Sequence, residues 1–213
     1  MSNNNIAERW TVLSGKDNWE GLLNPLDVDL RRYLIHYGEM TQATYDTFIS
    51  QADSKYAGAS KYAKKNLFAR VGLENGNPFK YEVTKYVYAT SNLIAVPDAF
   101  LITPLPEDAW SRESNWIGYV AVATDEGKAA LGRRDIVVAW RGTIKTLEWV
   151  NNFQFLPLPA PDIFGSNLLG LVDPKVHRGW HSMYTSSKSS SEFNKTSARD
   201  QVFFFFYSIY ALN

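Results

Sequence analysis

The chain has 213 residues, 22 basic against 22 acidic, no cysteine, and a hydrophobic share of 45% with 15% aromatic. That length and apolar content suit one buried core, or one and a fraction, and the absence of net charge removes the electrostatic footprint of a nucleic-acid binder. Without cysteine there is no disulfide framework, no thiolate nucleophile and no Cys-ligated zinc, which fits a reducing compartment.

The opening residues, MSNNNIAERW, have neither the basic n-region nor the apolar stretch of a secretory leader, so a cytoplasmic location is expected by default. The Asn194-Lys195-Thr196 sequon would then go unused. Asn24-Pro25, followed by Leu26, Leu30, Tyr33, Leu34, Tyr37 and Met40, places proline in a first turn and apolar residues at helical spacing, which predicts a helix from about Pro25 towards Phe48 that Gly38 could break. His36 lies on it among tyrosines and reads as a histidine satisfied in or near a core rather than a catalytic one.

From Ser54 the tetrapeptide Ser-Lys-Tyr-Ala occurs twice, and Lys64, Lys65 and Arg70 follow. These residues are expected to form a solvated helix face with inward-packing tyrosines; the sharper alternative is a basic, aromatic surface for anionic lipid headgroups. Asn75-Gly76-Asn77-Pro78 predicts a turn.

Residues 116–123 and 134–140 are rich in Val, Ile and aromatics, and the short segment between them is too brief for a crossover helix. They predict an antiparallel hairpin with a long loop. The run Ile136 to Trp140 is continuously apolar and predicts a strand buried on both faces. It is too short to span a membrane, and no transmembrane segment is expected. Chemistry in α/β sheets collects beyond the carboxyl ends of strands, so Arg141-Gly142-Thr143 is the candidate site. The bland reading of that tripeptide is a strand-ending turn with Arg in a salt bridge.

Beyond Phe155 the run Leu-Pro-Leu-Pro-Ala-Pro is expected to lie extended over the surface. His177 and His181 are four apart, but Arg178 and Gly179 stand where a metal-binding helix would need a glutamate and continuity, so no metal is assigned. Residues 185–197 read as a flexible loop, and Ser197 with Asp200 as a capping box opening a helix. After Val202 comes Phe203-Phe204-Phe205-Phe206-Tyr207, a tail with no amphipathic period.

The apolar strand ending in Trp-Arg-Gly-Thr, the downstream Trp149 and Asn152, and Val176-His177 with Gly179-Trp180 resemble class 3 lipases. Trp10-Thr11 through Ser14-Gly15, Asn18 to Leu26, and Lys85 to Ser91 look like the plant phospholipase A1 group of that family, the cytosolic class II kind. The likeness runs from roughly Trp10 to Gln201. It implies an α/β class, here a partial α/β-hydrolase fold: the N-terminal part of the sheet plus a helical N-terminal region over residues 1–202, with 203–213 a divergent Phe-rich tail.

The resemblance further implies an enzyme that hydrolyses the sn-1 acyl ester of glycerophospholipids with no metal or cofactor, on a phospholipid or other acyl-lipid substrate met by peripheral membrane contact. Thr143 would supply one backbone N–H of the oxyanion hole, with its hydroxyl as a further candidate donor. No serine lies in G-x-S-x-G: the nearest stretch, Gly58-Ala59-Ser60-Lys61-Tyr62, lacks the second glycine. The Ser-Asp-His triad would therefore lie beyond Val202, and the chain is expected to be inactive as it stands. Two alternatives stay open: a non-catalytic variant that binds lipid or a partner protein, and a galactolipid or triacylglycerol lipase.

The phenylalanine run departs from the family's pattern where a charged amphipathic helix is expected, and it is what translation through a thymine-rich intron would give. Sequencing the transcript across the Val202 codon is expected to show unspliced sequence there; a spliced message encoding the same run would sink this explanation.

Overall fold

The longest helix starts at a carboxylate. In the computed structural model, which describes residues 6–91, 101, 107–108, 110, 114–142, 157–165 and 174–211 (side chains of 209–211 excepted), Asp27 caps α2 (Val28–Asp46) by accepting from the backbone N–H of Asp29 and Leu30. Its other oxygen receives Arg9 of α1 (Ile6–Leu13) at 2.9 Å, and Arg9 also reaches Asp29 at 2.7 Å. A capped first turn with an acidic residue in it is favoured by the unpaired N–H groups there.

The helix therefore begins after Asp27, and Pro25 is not in its first turn. It also passes Gly38 without a break. A glycine inside a helix costs about 1 kcal/mol, which the burial of Leu30, Tyr33, His36, Met40 and Ala43 on one face outweighs.

The expected hairpin is present. Strands β1 (Tyr81–Ala89), β2 (Asn115–Ala123) and β3 (Ile136–Trp140) form one sheet in the order β1-β2-β3. β2 and β3 are antiparallel, with Val120 opposite Val138. Their connection contains a short helix, α4 (Asp125–Leu131), capped by the Thr124 hydroxyl on the Gly127 N–H and ended by Gly132 in the left-handed region. Gly132 is required twice over: its φ is +76°, and a Cβ there would sit 2.1 Å from the Ala7 carbonyl oxygen.

The central strand β2 is buried almost throughout, whereas β3 is half-buried except at Ala139. The continuous apolar run thus does not mark a strand covered on both faces. Among the described strands β3 stands last in the sheet order, with β2 as its neighbour, and that position leaves its large side chains partly exposed.

Residues 54–70 form no continuous helix. Turns lead to a single 3-10 turn (Lys64–Asn66) and one turn of α3 (Leu67–Arg70). Tyr56 is exposed and Tyr62 half-buried, while Ala57, Ala59, Leu67 and Phe68 enter the core. Backbone pairing of Ile49 with Ala59, and of Lys61 with Thr47, holds the stretch as a folded loop. Composition alone does not register these partners. The turn at 75–78 is as expected, with Gly76 in the left-handed region and the Asn77 side chain accepting from the Phe79 N–H.

The chain divides into two compact units, one of Met1–Thr47, Lys61–Tyr86 and Gly118–Arg141, the other of Phe48–Ser60, Val87–Ile117 and Gly142–Asn213. At the heart of the first is a polar cluster. The Tyr37 and Tyr81 hydroxyls each donate to Asp135 at 2.7 Å, and Arg133 donates to Asp135 at 3.0 Å, to Tyr37 and to Tyr33. The Arg133 guanidinium also lies over the Trp10 ring, 4.8 Å from its centroid. Burial, together with the Asp135 carboxylate, pushes Tyr37 and Tyr81 well above the ordinary tyrosine range, and at Tyr37 the Tyr33 and Tyr81 hydroxyls add to it.

His36 adjoins this cluster but is held by rings, not by hydrogen bonds. It packs 4.8 Å from Phe79, 5.0 Å from Tyr37 and 5.4 Å from Tyr81, centroid to centroid, and neither nitrogen has a protein partner. Burial pushes the imidazole down to about 4, against a weaker opposing pull from Asp135. Its contribution to stability is thus present above pH 6.5 and lost as the pH falls towards 4, by about 3 kcal/mol in all. In urea unfolding at pH 7 and pH 4, the wild-type chain is expected to lose about 3 kcal/mol more between the two than His36→Phe. Equal losses in both chains would contradict the burial of an unpaired imidazole.

Candidate functional site

The carboxyl end of β3 leads into Arg141 and Gly142. Thr143, with Trp149 and Asn152, lies outside the described residues. Arg141 is only 3% exposed, and burial pushes its guanidinium down to about 10, with Tyr45 opposing. A charged group this deep is costly to leave in place unless its position matters or its partners compensate.

The second unit holds the histidines. Strands β4 (Pro157–Pro159) and β5 (Lys175–His177) pair antiparallel, Leu158 opposite Val176. The proline-rich run is therefore extended, as expected, and also paired. Pro161 then opens one turn of helix, α5 (Pro161–Phe164). Proline is tolerated at that first-turn position because its missing N–H would have no helical partner there.

His177 caps α6 (Arg178–Thr185), its Nδ1 accepting from the backbone N–H of Gly179 at 3.1 Å and of Trp180 at 3.3 Å. Nδ1 is thus an acceptor and the ring proton belongs on Nε2. Burial holds this imidazole below its ordinary value. Gly179 does not interrupt the helix. It stands in the first turn, where a Cβ would lie 3.1 Å from the His177 ring, so the glycine leaves room for the cap.

His181, on the body of α6, turns instead to Asp162 of α5, its Nε2 3.0 Å from both carboxylate oxygens. That hydrogen bond keeps the Asp162 carboxyl below its ordinary value. The two histidines therefore serve separate partners. Among the described residues no group of three or more His, Asp or Glu could hold a metal ion. The buried Ser182, next to His181 in sequence, pairs with the hydroxyls of Ser91 at 2.7 Å and Ser186 at 3.3 Å.

Neither histidine role was visible beforehand. Histidine is not among the usual capping residues, so Val-His-x-Gly does not read as a helix start. The Asp162 partner lies 19 residues away across a proline-rich segment.

Residues 185–197 are pinned, not flexible. Ser186, Ser191, Asn194 and Ser197 are buried, and the Ser191 hydroxyl pairs with that of Ser114. The capping box is as expected, the Asp200 N–H donating to the Ser197 hydroxyl at 3.1 Å. The helix it opens, α7 (Ala198–Ala211), runs on through the phenylalanines, with Phe203, Phe204 and Tyr207 exposed.

Residues 137–204 match the class 3 lipase family, a span that takes in β3 from Val137 onward, the Arg141-Gly142-Thr143 tripeptide, both paired strands of the second unit and the start of α7. Over 198 residues the chain is 54% identical to phospholipase A1-IIgamma of Arabidopsis thaliana, covering 92% of this chain and 46% of that protein. It is 57% identical over 200 residues to phospholipase A1-II 7 of Oryza sativa subsp. indica, covering 92% and 48%, and 54% identical to phospholipase A1-IIbeta of Arabidopsis thaliana, covering 92% and 47%. The chain spans less than half the length of these curated relatives. Class 3 lipases have the α/β-hydrolase fold, and the small antiparallel sheet with its helices is consistent with a partial α/β fold.

Proposed function

We propose that this chain is the N-terminal part of a phospholipase A1-like acylhydrolase that cleaves the sn-1 acyl ester of glycerophospholipids, acting in the cytoplasm through peripheral contact with lipid. The observation that carries this reading is the likeness to plant phospholipase A1-II proteins along nearly the whole chain. No described helix is long and apolar enough to cross a membrane.

In this reading the Arg141-Gly142-Thr143 turn sets half of an oxyanion hole. The Thr143 backbone N–H would donate to the carbonyl oxygen that becomes negative when a serine attacks the ester. A donor fixed at the end of a strand needs no reorganisation as that charge develops, and one such donor is worth about 2.7–4 kcal/mol of barrier. Arg141, buried at the strand end, supports the reading by anchoring the residue two positions before Thr143. The attacking serine, the histidine that takes its proton and the aspartate that orients the histidine would come from a continuation of the sheet. His177 and His181 are not candidates for that base, because the triad of this fold runs serine, acid, histidine along the chain and both precede any elbow serine; His177 is also engaged as a helix cap.

Fatty-acid release from phospholipid vesicles tests the proposal on two chains: the 213 residues, and the same sequence continued through a G-x-S-x-G elbow. Turnover is expected from the longer chain alone, and turnover by the shorter one would overturn the reading. In the longer chain Thr143→Pro, which removes the N–H, is expected to lower kcat by about 10²–10³ with little change in KM, while Thr143→Ala keeps most activity. Equal kcat in both variants would remove Thr143 from the oxyanion hole.

A further inference from the structure

The sequon Asn194-Lys195-Thr196 has the sequence of an N-glycosylation acceptor, and acceptors that carry glycans sit on the surface. Asn194 does not. It is fully buried, and its side-chain Nδ2 donates to the Thr196 carbonyl at 2.7 Å and to the Tyr88 carbonyl at 3.4 Å. Its backbone carbonyl accepts from the Lys188 N–H at 2.9 Å, while its side-chain Oδ1 is buried without a hydrogen-bond partner among the described residues.

Gln201 converges on the same two carbonyls, donating to Tyr88 at 2.9 Å and to Thr196 at 3.0 Å, and its Oε1 accepts from the Tyr88 N–H at 3.1 Å. Two side-chain amides thus hold the end of β1 against the start of α7, all within the second unit.

We infer that glycosylation of Asn194 and formation of this unit are mutually exclusive. The transfer forms a bond from Nδ2 to the anomeric carbon of a lipid-pyrophosphate-linked oligosaccharide. The bond from that carbon to the pyrophosphate oxygen breaks, the lipid pyrophosphate leaves, and one amide proton is lost. Of the two Nδ2 hydrogens, which the structure directs at two carbonyls, one would be replaced by a sugar. A bulky hydrophilic group would then have to occupy a site with no exposed surface. The transfer acts on chains still being made, so burial in the finished fold gives no protection; the modified chain loses the fold instead. This inference does not rest on the acylhydrolase reading.

Thr196 supplies the test. Its side chain is exposed and its contribution is a backbone carbonyl, so Thr196→Ala destroys the sequon while keeping the contacts of Asn194. The full chain would be translated at low concentration in three forms: without a leader, with a cleavable secretory leader in the presence of microsomes, and with that leader and Thr196→Ala. A gel shift removable by endoglycosidase reports the glycan, and limited proteolysis reports the fold.

The leader-bearing wild-type chain is expected to gain one glycan and lose its protease-resistant fraction. The leader-bearing Thr196→Ala chain is expected to stay unmodified and match the leaderless wild type. A glycosylated chain as resistant as Thr196→Ala would overturn the inference, as would a wild-type chain left unmodified in the lumen or a leaderless chain as sensitive as the glycosylated one.

Discussion

Asp135 is the point from which the first unit is laid out. One carboxylate receives the hydroxyls of Tyr37, from the middle of α2, and Tyr81, from the first residue of β1, together with the guanidinium of Arg133. Arg133 in turn stacks on Trp10 of α1. Three elements, α1, α2 and β1, are therefore referred to one side chain that stands immediately before β3. Removing one member of such a buried set leaves the others charged or unpaired, at a cost of about 3–5 kcal/mol. With its start fixed in this way, a five-residue strand delivers Arg141 to a set place at its other end.

The same arrangement explains why a histidine beside the cluster remains neutral. The Asp135 carboxylate would favour a cation nearby, but its lone pairs already accept from two tyrosines and an arginine. His36 meets their rings and that of Phe79 instead of the carboxylate. Desolvation then outweighs the attraction, and the imidazole behaves as a flat apolar body of the core. Its place on a tyrosine-rich helix face was legible in the sequence, but its lack of hydrogen bonds was not, because that depends on residues 79, 81 and 135.

What the sequence disclosed was local. Helix α2 follows from apolar spacing, the β2–β3 hairpin from two β-rich runs too close for a crossover, and the start of α7 from a capping box four residues wide. The readings that failed were those decided by distant partners. Residues 54–70 look helical until the backbone of Ile49 and Thr47 claims Ala59 and Lys61. The Ser/Asn-rich stretch at 185–197 looks mobile until Ser114 and Tyr88 are brought to it. At the candidate site, strand β3 followed from its β-rich run, whereas the burial of Arg141 belongs to the packing and has no signature in a tripeptide.

The start of α7 shows how such distant contacts reach into sequence that has no structural signal of its own. Forming the first turn of a helix is the unfavourable step, and each later residue adds one hydrogen bond for one pair of dihedrals. Here Ser197 caps the first turn and Gln201 is tied to both backbone groups of Tyr88, so nucleation is settled before Val202. Phenylalanine is only a few tenths of a kcal/mol per residue less favourable than the best helix formers. A run of it therefore propagates the helix without supplying an apolar stripe. The absence of a period in the sequence decides which rings meet solvent, namely Phe203, Phe204 and Tyr207, and leaves the backbone helical.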